Sequence, residues 1–209
     1  HGHHDHVRGL KPLLEKYRHN SKFHPRLLGH PGLMTPKSDA RGNIGVNFTM
    51  DELRPLQVEL SAAPVWLTDK LVYLGQIPRI HDFEGNYAIG QITTAQGSEP
   101  DYLHDDVSLA YKSSEGLVII TGCAHSGIGN IIEYAKQICK ESRVVCIIGG
   151  THMRRASAQL LSDTIGYLEQ QNIQKWYACH CTDMDARVVM GNRLKNMCQG
   201  MVGTVVEFK

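Results

Sequence analysis

The sequence predicts a mixed α/β protein, α/β or α+β in class, built around a central sheet. Three observations predict it. Residues 116–208 alternate apolar β-type runs with runs of 3.6-residue period. Residues 56–95 carry short β-like runs broken by Pro64, Pro78 and Gly85. The composition is that of an ordinary soluble domain: 209 residues, 42% hydrophobic, 21% charged and 7% aromatic. It excludes disorder, collagen and a coiled coil, and no apolar run approaches the ~18 residues of a membrane span.

After a histidine-rich start, Leu10, Leu13, Leu14 and Tyr17 mark one face of an amphipathic helix. Residues 19–50, with scattered Pro, Gly and Asn, read as a long excursion, and loops of that length are usually functional. LQVELS, APVWLT, LVYLGQI and YAIGQITT then read as strands. GLVIITG (116–122) is a buried strand leading into a helix bearing Ile128, Ile131, Ile132, Ala135 and Cys139. RVVCIIGG (143–150) is a second such strand, followed by a helix with Leu160, Leu161, Thr164, Ile165 and Leu168. KWYAC (175–179) is a third. Met190, Leu194, Met197 and Cys198 mark a further helix ended by Gly200, and VGTVVEF (202–208) closes as a strand. No repeat or linker divides the chain, so residues 1–209 read as a single domain.

Lys and Arg number 22 against 21 Asp and Glu, a formal net charge of +1. That balance excludes a nucleic-acid binder working by bulk positive charge. The six cysteines, in a chain long enough to bury a full core, suggest free thiols in a reducing cytoplasm. No basic start leads into an apolar stretch, so no signal peptide is read. A cytoplasmic protein with a small-molecule partner is expected, with neither a nucleic acid nor a membrane; its oligomeric state is left open.

Histidine is the outlier, at 12 residues. Three predicted strands exit into Cys123-Ala124-His125, Thr151-His152 and His180-Cys181-Thr182, at the edge where α/β sheets hold their sites. The chain starts His-X-His-X-Asp-His, with His1, His3, Asp5 and His6. Alternate spacing lets His1 and His3 point at one ion, and Asp5 and His6, one turn onward, can reach a second. Neutral imidazole with carboxylate suits zinc, iron or manganese, and a two-metal site can activate water and clamp an ester or phosphoryl oxygen. Cys179 and Cys181 about His180 offer an alternative, a structural zinc site, although Cys-X-Cys in an extended segment points its thiols to opposite faces.

In order along the chain, HXHXDH, LGQIPRIHDFEG (74–85), DYLHDDVSLAYKSSEGLVIITGCAHSGIGNII (101–132), VVCIIGGTHM (144–153) and HCTD (180–183) resemble the metallo-β-lactamase superfamily. The resembling branch is typified by 7,8-dihydropterin-6-yl-methyl-4-(β-D-ribofuranosyl)aminobenzene-5′-phosphate synthase, and the likeness covers nearly the whole chain. It implies a four-layer αβ/βα sandwich holding one or two divalent metals, zinc first, with manganese or iron as alternatives. His1, His3 and His125 would hold the first metal; Asp5, His6 and His180 would hold the second, with Asp5 and His180 read as catalytic too. His104 is the alternative to His125, and GCAH is the stronger motif.

Three features depart from the family pattern. The strands and DTG-like turn that precede HXHXDH in the superfamily are not in this sequence, so an N-terminally incomplete domain is expected. Cys123 stands where a bridging aspartate is usual. Asp183 replaces the glycine of HCTG. His152, Arg154 and Arg79 are read as substrate-binding, the arginines because their forks fit phosphate, and His152 as substrate contact or further ligand. Arg155 shares the position after His152, and two adjacent arginines also fit a solvated face. Asp105 and Asp106 fit either the orientation of a ligand histidine or the capping of a strand. His4 has no assigned role, and His19, His24, His30 and His81 read as loop or surface residues. The expected activity is a metal-dependent hydrolase or related transferase acting through metal-activated water on a small phosphate-bearing, pterin-like ester. A di-iron redox or metal-sensing protein, helped by Cys123, is the alternative, and a non-catalytic binding module is a third.

Overall fold

The computed structural model describes residues 1–17, 19, 20 and 22–208. In chain order the elements are α1 (His4–Val7), α2 (Leu10–Tyr17), β1 (Arg26–Gly29), β2 (Lys37–Asp39), β3 (Gly42–Asn43), β4 (Gln57–Leu60), β5 (Val65–Trp66), β6 (Leu71–Tyr73), β7 (Gln91–Thr94) and β8 (Gly97–Pro100). They continue as β9 (Ser108–Lys112), β10 (Leu117–Thr121), α3 (Ile128–Cys139), β11 (Val144–Gly149), α4 (Ala158–Glu169), β12 (Lys175–Ala178), α5 (Met184–Arg193) and β13 (Met197–Gln199). The chain folds into two compact units, His1–Ala62 with Tyr87–Asp105, and Ala63–Asn86 with Asp106–Lys209. No helix among the described residues is long and apolar enough to cross a membrane.

The first unit is built from short pieces. β1 pairs parallel with β4, and β3-β2-β7-β8 form an antiparallel sheet. The predicted helix is α2, whose Leu10 and Leu14 pack with Val7 on Phe48, Leu53 and Leu56. Residues 19–50 are not one excursion: they hold β1, β2, β3 and a 3₁₀ turn at Pro31–Met34. Strands of two to four residues are too short to show alternation. His30, read as a loop or surface residue, lies in a loop but not at the surface. It is buried, and its Nδ1 accepts the Gly32 N–H at 3.0 Å to cap that turn.

The second unit is a seven-stranded sheet in the order β13-β12-β11-β10-β9-β6-β5. β10 to β13 run parallel to one another, and β9 joins them antiparallel. Leu117 and Ile119 of β10, Ile147 of β11 and Trp176 of β12 pack with Ile131, Ile165 and Met190 of the three helices. Val118, Val145 and Cys146 face the other way, with Ile148, Tyr177 and Phe208 packed against them. Both faces are apolar, which is why these strands read as continuous hydrophobic runs.

Two expectations near the C-terminus are overturned. The last helix stops at Arg193, and Met197 and Cys198 lie in β13 instead. Leu194 turns extended, with ψ 94°, while its N–H still donates to Met190 O, so the helical spacing is real only as far as 194. Met197 pairs with Trp176 of β12. Residues 202–208 form no strand; Val202 and Val205 are exposed.

Helix α3 lacks a capping side chain of its own, because its N-cap is Gly127 at φ +94°. The buried carboxylate of Glu84 takes that part, and its Oε1 accepts the Asn130 N–H at 2.7 Å. A Cβ at Gly127 would lie 2.3 Å from Glu84 Cδ, so glycine there makes room for the carboxylate. Burial pushes the Glu84 carboxyl up to about 7, against the pull of the helix N–H groups. The folded value exceeds the ordinary 4.5, so stability is full below about pH 4.5 and falls as pH rises through 7. Glu84→Gln keeps an acceptor without the charge. It is expected to match wild type near pH 4.5 and to exceed it at pH 8 by up to about 3 kcal/mol. Urea denaturation at both pH values checks this; an equal difference at the two would contradict it.

Candidate metal centre

In the first unit the chain enters extended and then turns helical. His3 is the N-cap of α1, at φ −71° and ψ 143°. In extended backbone alternate side chains share a side, and the His1 and His3 rings lie 4.6 Å apart between centroids. The His4 N–H donates to Ile44 O at 2.9 Å and the His6 N–H to His3 O at 3.0 Å, which fixes the first helical turn. That turn brings His6 to 4.2 Å from His1, ring to ring, and Asp5 Oδ2 to 3.7 Å from His6 Nε2. His3 is buried, and burial followed by the charge of Lys37 holds its imidazole below the ordinary value, against Asp101, Asp105 and Asp5. A neutral imidazole is the form that donates to a metal.

In the second unit β10, β11 and β12 are parallel, so their exits lie at one sheet edge. Each exit turns on a non-glycine residue in the left-handed region: Ala124 at φ 57°, His152 at 49° and His180 at 53°. Gly149 and Gly150 let the exits approach. A Cβ at Gly149 would lie 2.2 Å from Thr121 O, and one at Gly150 would lie 2.5 Å from Gly122 O and 2.6 Å from Cys181 Sγ. The exits are then tied together. Thr121 Oγ1 donates to Gly150 O at 2.7 Å, and the Cys179 N–H donates to Gly149 O at 3.1 Å. The His152 N–H donates to Cys181 Sγ at 3.1 Å, and Cys181 Sγ donates to Cys123 O at 3.4 Å. Hydrogen bonding with the Cys123 and His152 side chains and from the His152 N–H holds the Cys181 thiol well below the ordinary range, although burial opposes it.

As a result the ligand atoms of Cys123, His125 and His152 lie within 4.8 Å of one another, and so do those of Cys123 and His180. The His125 and His152 rings are 4.1 Å apart between centroids. The His125 loop is fastened by its neighbour: Ser126 N–H and Oγ both donate to Asp106 Oδ2, at 2.9 and 2.7 Å. Asn130 Nδ2 donates to Ser126 O at 2.8 Å. Each unit by itself therefore gathers donors, imidazole with carboxylate in the first and imidazole with thiol in the second. Both sets fit a divalent ion of the zinc or iron type.

The other predicted residues are placed differently. Arg79 donates from Nε to Gly85 O at 3.0 Å and from Nη1 to Ile77 O at 2.9 Å, so its guanidinium braces its own loop. Arg154 and Arg155 are exposed. His104 is exposed beside Tyr102, and the His81 ring stacks on Phe83. No donor group among the described residues includes Cys179 or Cys181. Cys123, which stands where an aspartate is usual and reads in the sequence as helping an iron pair, places its thiol among the donors of both groups at this edge. Cys181, read in the sequence only as half of a Cys-X-Cys zinc alternative, instead ties the exits together through Cys123 O and the His152 N–H.

No family model matches the chain. It is 28% identical over 209 residues to an uncharacterized protein of Methanocaldococcus jannaschii, covering 99% of this chain and 75% of that one. It is 25% identical over 219 residues to the 7,8-dihydropterin-6-methyl-4-(β-D-ribofuranosyl)-aminobenzene-5′-phosphate synthase of the same organism, covering 100% of this chain and 73% of that one. Among solved structures it resembles a metal-dependent hydrolase of the β-lactamase superfamily, with a TM-score of 0.77 and 20% identity over 88% of this chain and 72% of that one. The fold is thus a β-lactamase-like one, mixed α/β with several sheets.

Asp183, which replaces the branch glycine, has a structural role. Its side chain caps α5 by accepting the Ala186 N–H at 3.0 Å, and it accepts the Arg155 N–H at 3.0 Å from the loop after β11. Asp183→Ala is expected to lower the urea midpoint, since a cap and a further hydrogen bond are lost. Asp183→Asn should recover most of the drop, and urea denaturation of the two variants measures the difference.

Proposed function

We propose that this protein is a metal-dependent hydrolase or related transferase acting on a small phosphate-bearing ester, with a pterin-like ester as the first candidate. The observation that carries this reading is that each unit by itself gathers metal-type donors on the motif residues: His1, His3, Asp5 and His6 in one, Cys123, His125, His152 and His180 in the other. The two named likenesses agree in kind: one solved structure is described as a metal-dependent hydrolase, and one relative is named as a synthase of a pterin-bearing phosphate.

In this reading His1, His3 and His125 would hold one divalent ion and Asp5, His6 and His180 would hold a second, zinc first, with manganese or iron in its place. When bound, the metal supplies a Lewis acid and lowers the pKa of water. The exposed Asp5 carboxylate would take the proton released by water and pass that same proton to the leaving group, while the exposed His180 would keep the ion in place beside it. His152 and Arg154 receive the phosphate end of the substrate, while Arg79 keeps the 77–85 loop in shape. A small cytoplasmic metabolite is the partner, not a nucleic acid or a membrane. The thiol of Cys123 favours one second reading, a di-iron redox or metal-sensing protein, because thiolate donors suit iron.

Metal analysis by mass spectrometry, with phosphodiesterase and dioxygen-consumption assays, separates the two readings. Under the hydrolase reading His3→Ala and His125→Ala each lower bound zinc and reduce phosphodiesterase turnover by more than about 100-fold, more than outer-sphere changes typically do. Undiminished metal and rate in either variant would remove that residue from the ligand set.

A further inference from the structure

The first unit buries an ion cluster that the proposed chemistry does not use. Lys37 of β2 is 3% exposed, Asp101 2% and Asp105 3%. Lys37 Nζ donates to Asp101 Oδ2 at 2.7 Å and to Asp105 Oδ1 at 3.0 Å. Asp101 is fully engaged locally, since its Oδ1 accepts the Leu103 N–H at 2.8 Å. Asp105 reaches further: its Oδ2 accepts the Gly2 N–H at 2.7 Å. Gly2 is the residue between His1 and His3. A Cβ there would lie 2.4 Å from Leu33 O, so the peptide is pressed on that carbonyl and only glycine fits.

One cation and two carboxylates in a buried space are a costly arrangement unless every partner is kept. Their reward here is geometric. Asp105 is held from behind by Lys37 and grips the backbone exactly one residue from each of two histidines whose rings lie 4.6 Å apart. A metal pair is only as precise as the backbone that carries it.

We propose that Asp105 is the positioning residue of the front histidine pair: through the Gly2 N–H, and not through either imidazole, it sets His1 and His3 for a shared divalent ion. The inference rests on the metal reading above, and it adds to that reading a residue that touches neither metal nor substrate.

The test compares two carboxylates of one cluster. In Asp105→Asn the amide NH₂ must face either Lys37 or the Gly2 N–H, both donors, so the grip on Gly2 is lost or the clamp is. Asp101→Asn removes the same charge from the same lysine and leaves Gly2 untouched. Cobalt(II) titration of the full chain, followed by visible absorption, reads affinity and ligand geometry without any turnover assay. Asp105→Asn is expected to weaken cobalt binding by about 10–100-fold and to alter the visible bands, while Asp101→Asn changes affinity by less than about threefold. Melting temperatures of both variants should fall, which separates stability from positioning. Wild-type affinity in Asp105→Asn, or equal losses in the two variants, would overturn the proposal. If Asp105→Asn gives no folded protein, Asp105→Ser takes its place with the same two readings. A wild-type chain that binds neither cobalt nor zinc would remove the metal reading and this inference together, whereas wild-type binding with an unaffected Asp105→Asn removes the inference alone.

Discussion

The close approach of the strand exits after β10 and β11 is the constraint on which the second unit depends. Thr121 O and Gly122 O stand where Cβ atoms of residues 149 and 150 would be, and only glycine leaves that space. The approach allows Thr121 Oγ1 to reach Gly150 O, and it opens the corner where Cys181 Sγ meets both Cys123 O and the His152 N–H. Without it the three exits would remain at one edge, because parallel pairing puts them there, but they would not touch. The apolar core sets where the strands lie. The glycine pair sets how near their loops come, and so decides whether their histidines can share anything.

The first unit solves the same problem with a different device. Its strands are two to four residues long, and its apolar cluster is centred on Phe48, Leu53 and Leu56. Such a frame cannot hold a short histidine segment by packing alone. The Lys37–Asp101–Asp105 cluster supplies the missing rigidity through directional bonds. A buried ion pair is weak evidence of stability, because desolvation offsets most of its attraction. What it does impose is direction, because a buried charge left without its partner is costly. The close approach of Leu33 O to Gly2 works in the same sense.

Legibility in the sequence followed the range over which each feature is written. α2, α3 and α4 were readable because their apolar spacing repeats over two to three turns, and β10, β11 and β12 because both faces are apolar. β1 to β3 were not readable, since pairs of two to four residues leave no period. Leu194 continued a helical pattern into a segment that pairs as β13, where tertiary pairing overrode local spacing. The same rule holds for the candidate site. Histidines stand out just past apolar strands and in a dense motif. Lys37 and its carboxylates lie 64 and 68 residues apart in sequence, and Glu84 acts on a helix 46 residues away, so no local pattern announces them. What traces there were came from Asp105, readable as orienting a ligand histidine, and from glycines: Gly2 between two histidines, and Gly127 and Gly129 about the carboxylate that caps α3.

Backbone strain connects these devices to chemistry. The left-handed region costs an L-residue of ordinary shape roughly 1–2 kcal/mol, and three non-glycine residues adopt it at successive exits: Ala124, His152 and His180. Histidine enters that region more readily than bulkier or branched residues do, yet a flexible loop would still relax out of it. These loops do not, because their neighbours are tied: Ser126 to Asp106, Thr151 to Thr182, Cys181 to His152 N–H and Arg155 N–H to Asp183. A strained residue persists only where the surroundings over-determine it. The hydrogen bonds thus do more than close the loops. They hold two imidazoles, His152 and His180, at backbone angles that loose loops would abandon, so that both rings are oriented in advance and little ordering is left to oppose binding of whatever meets them.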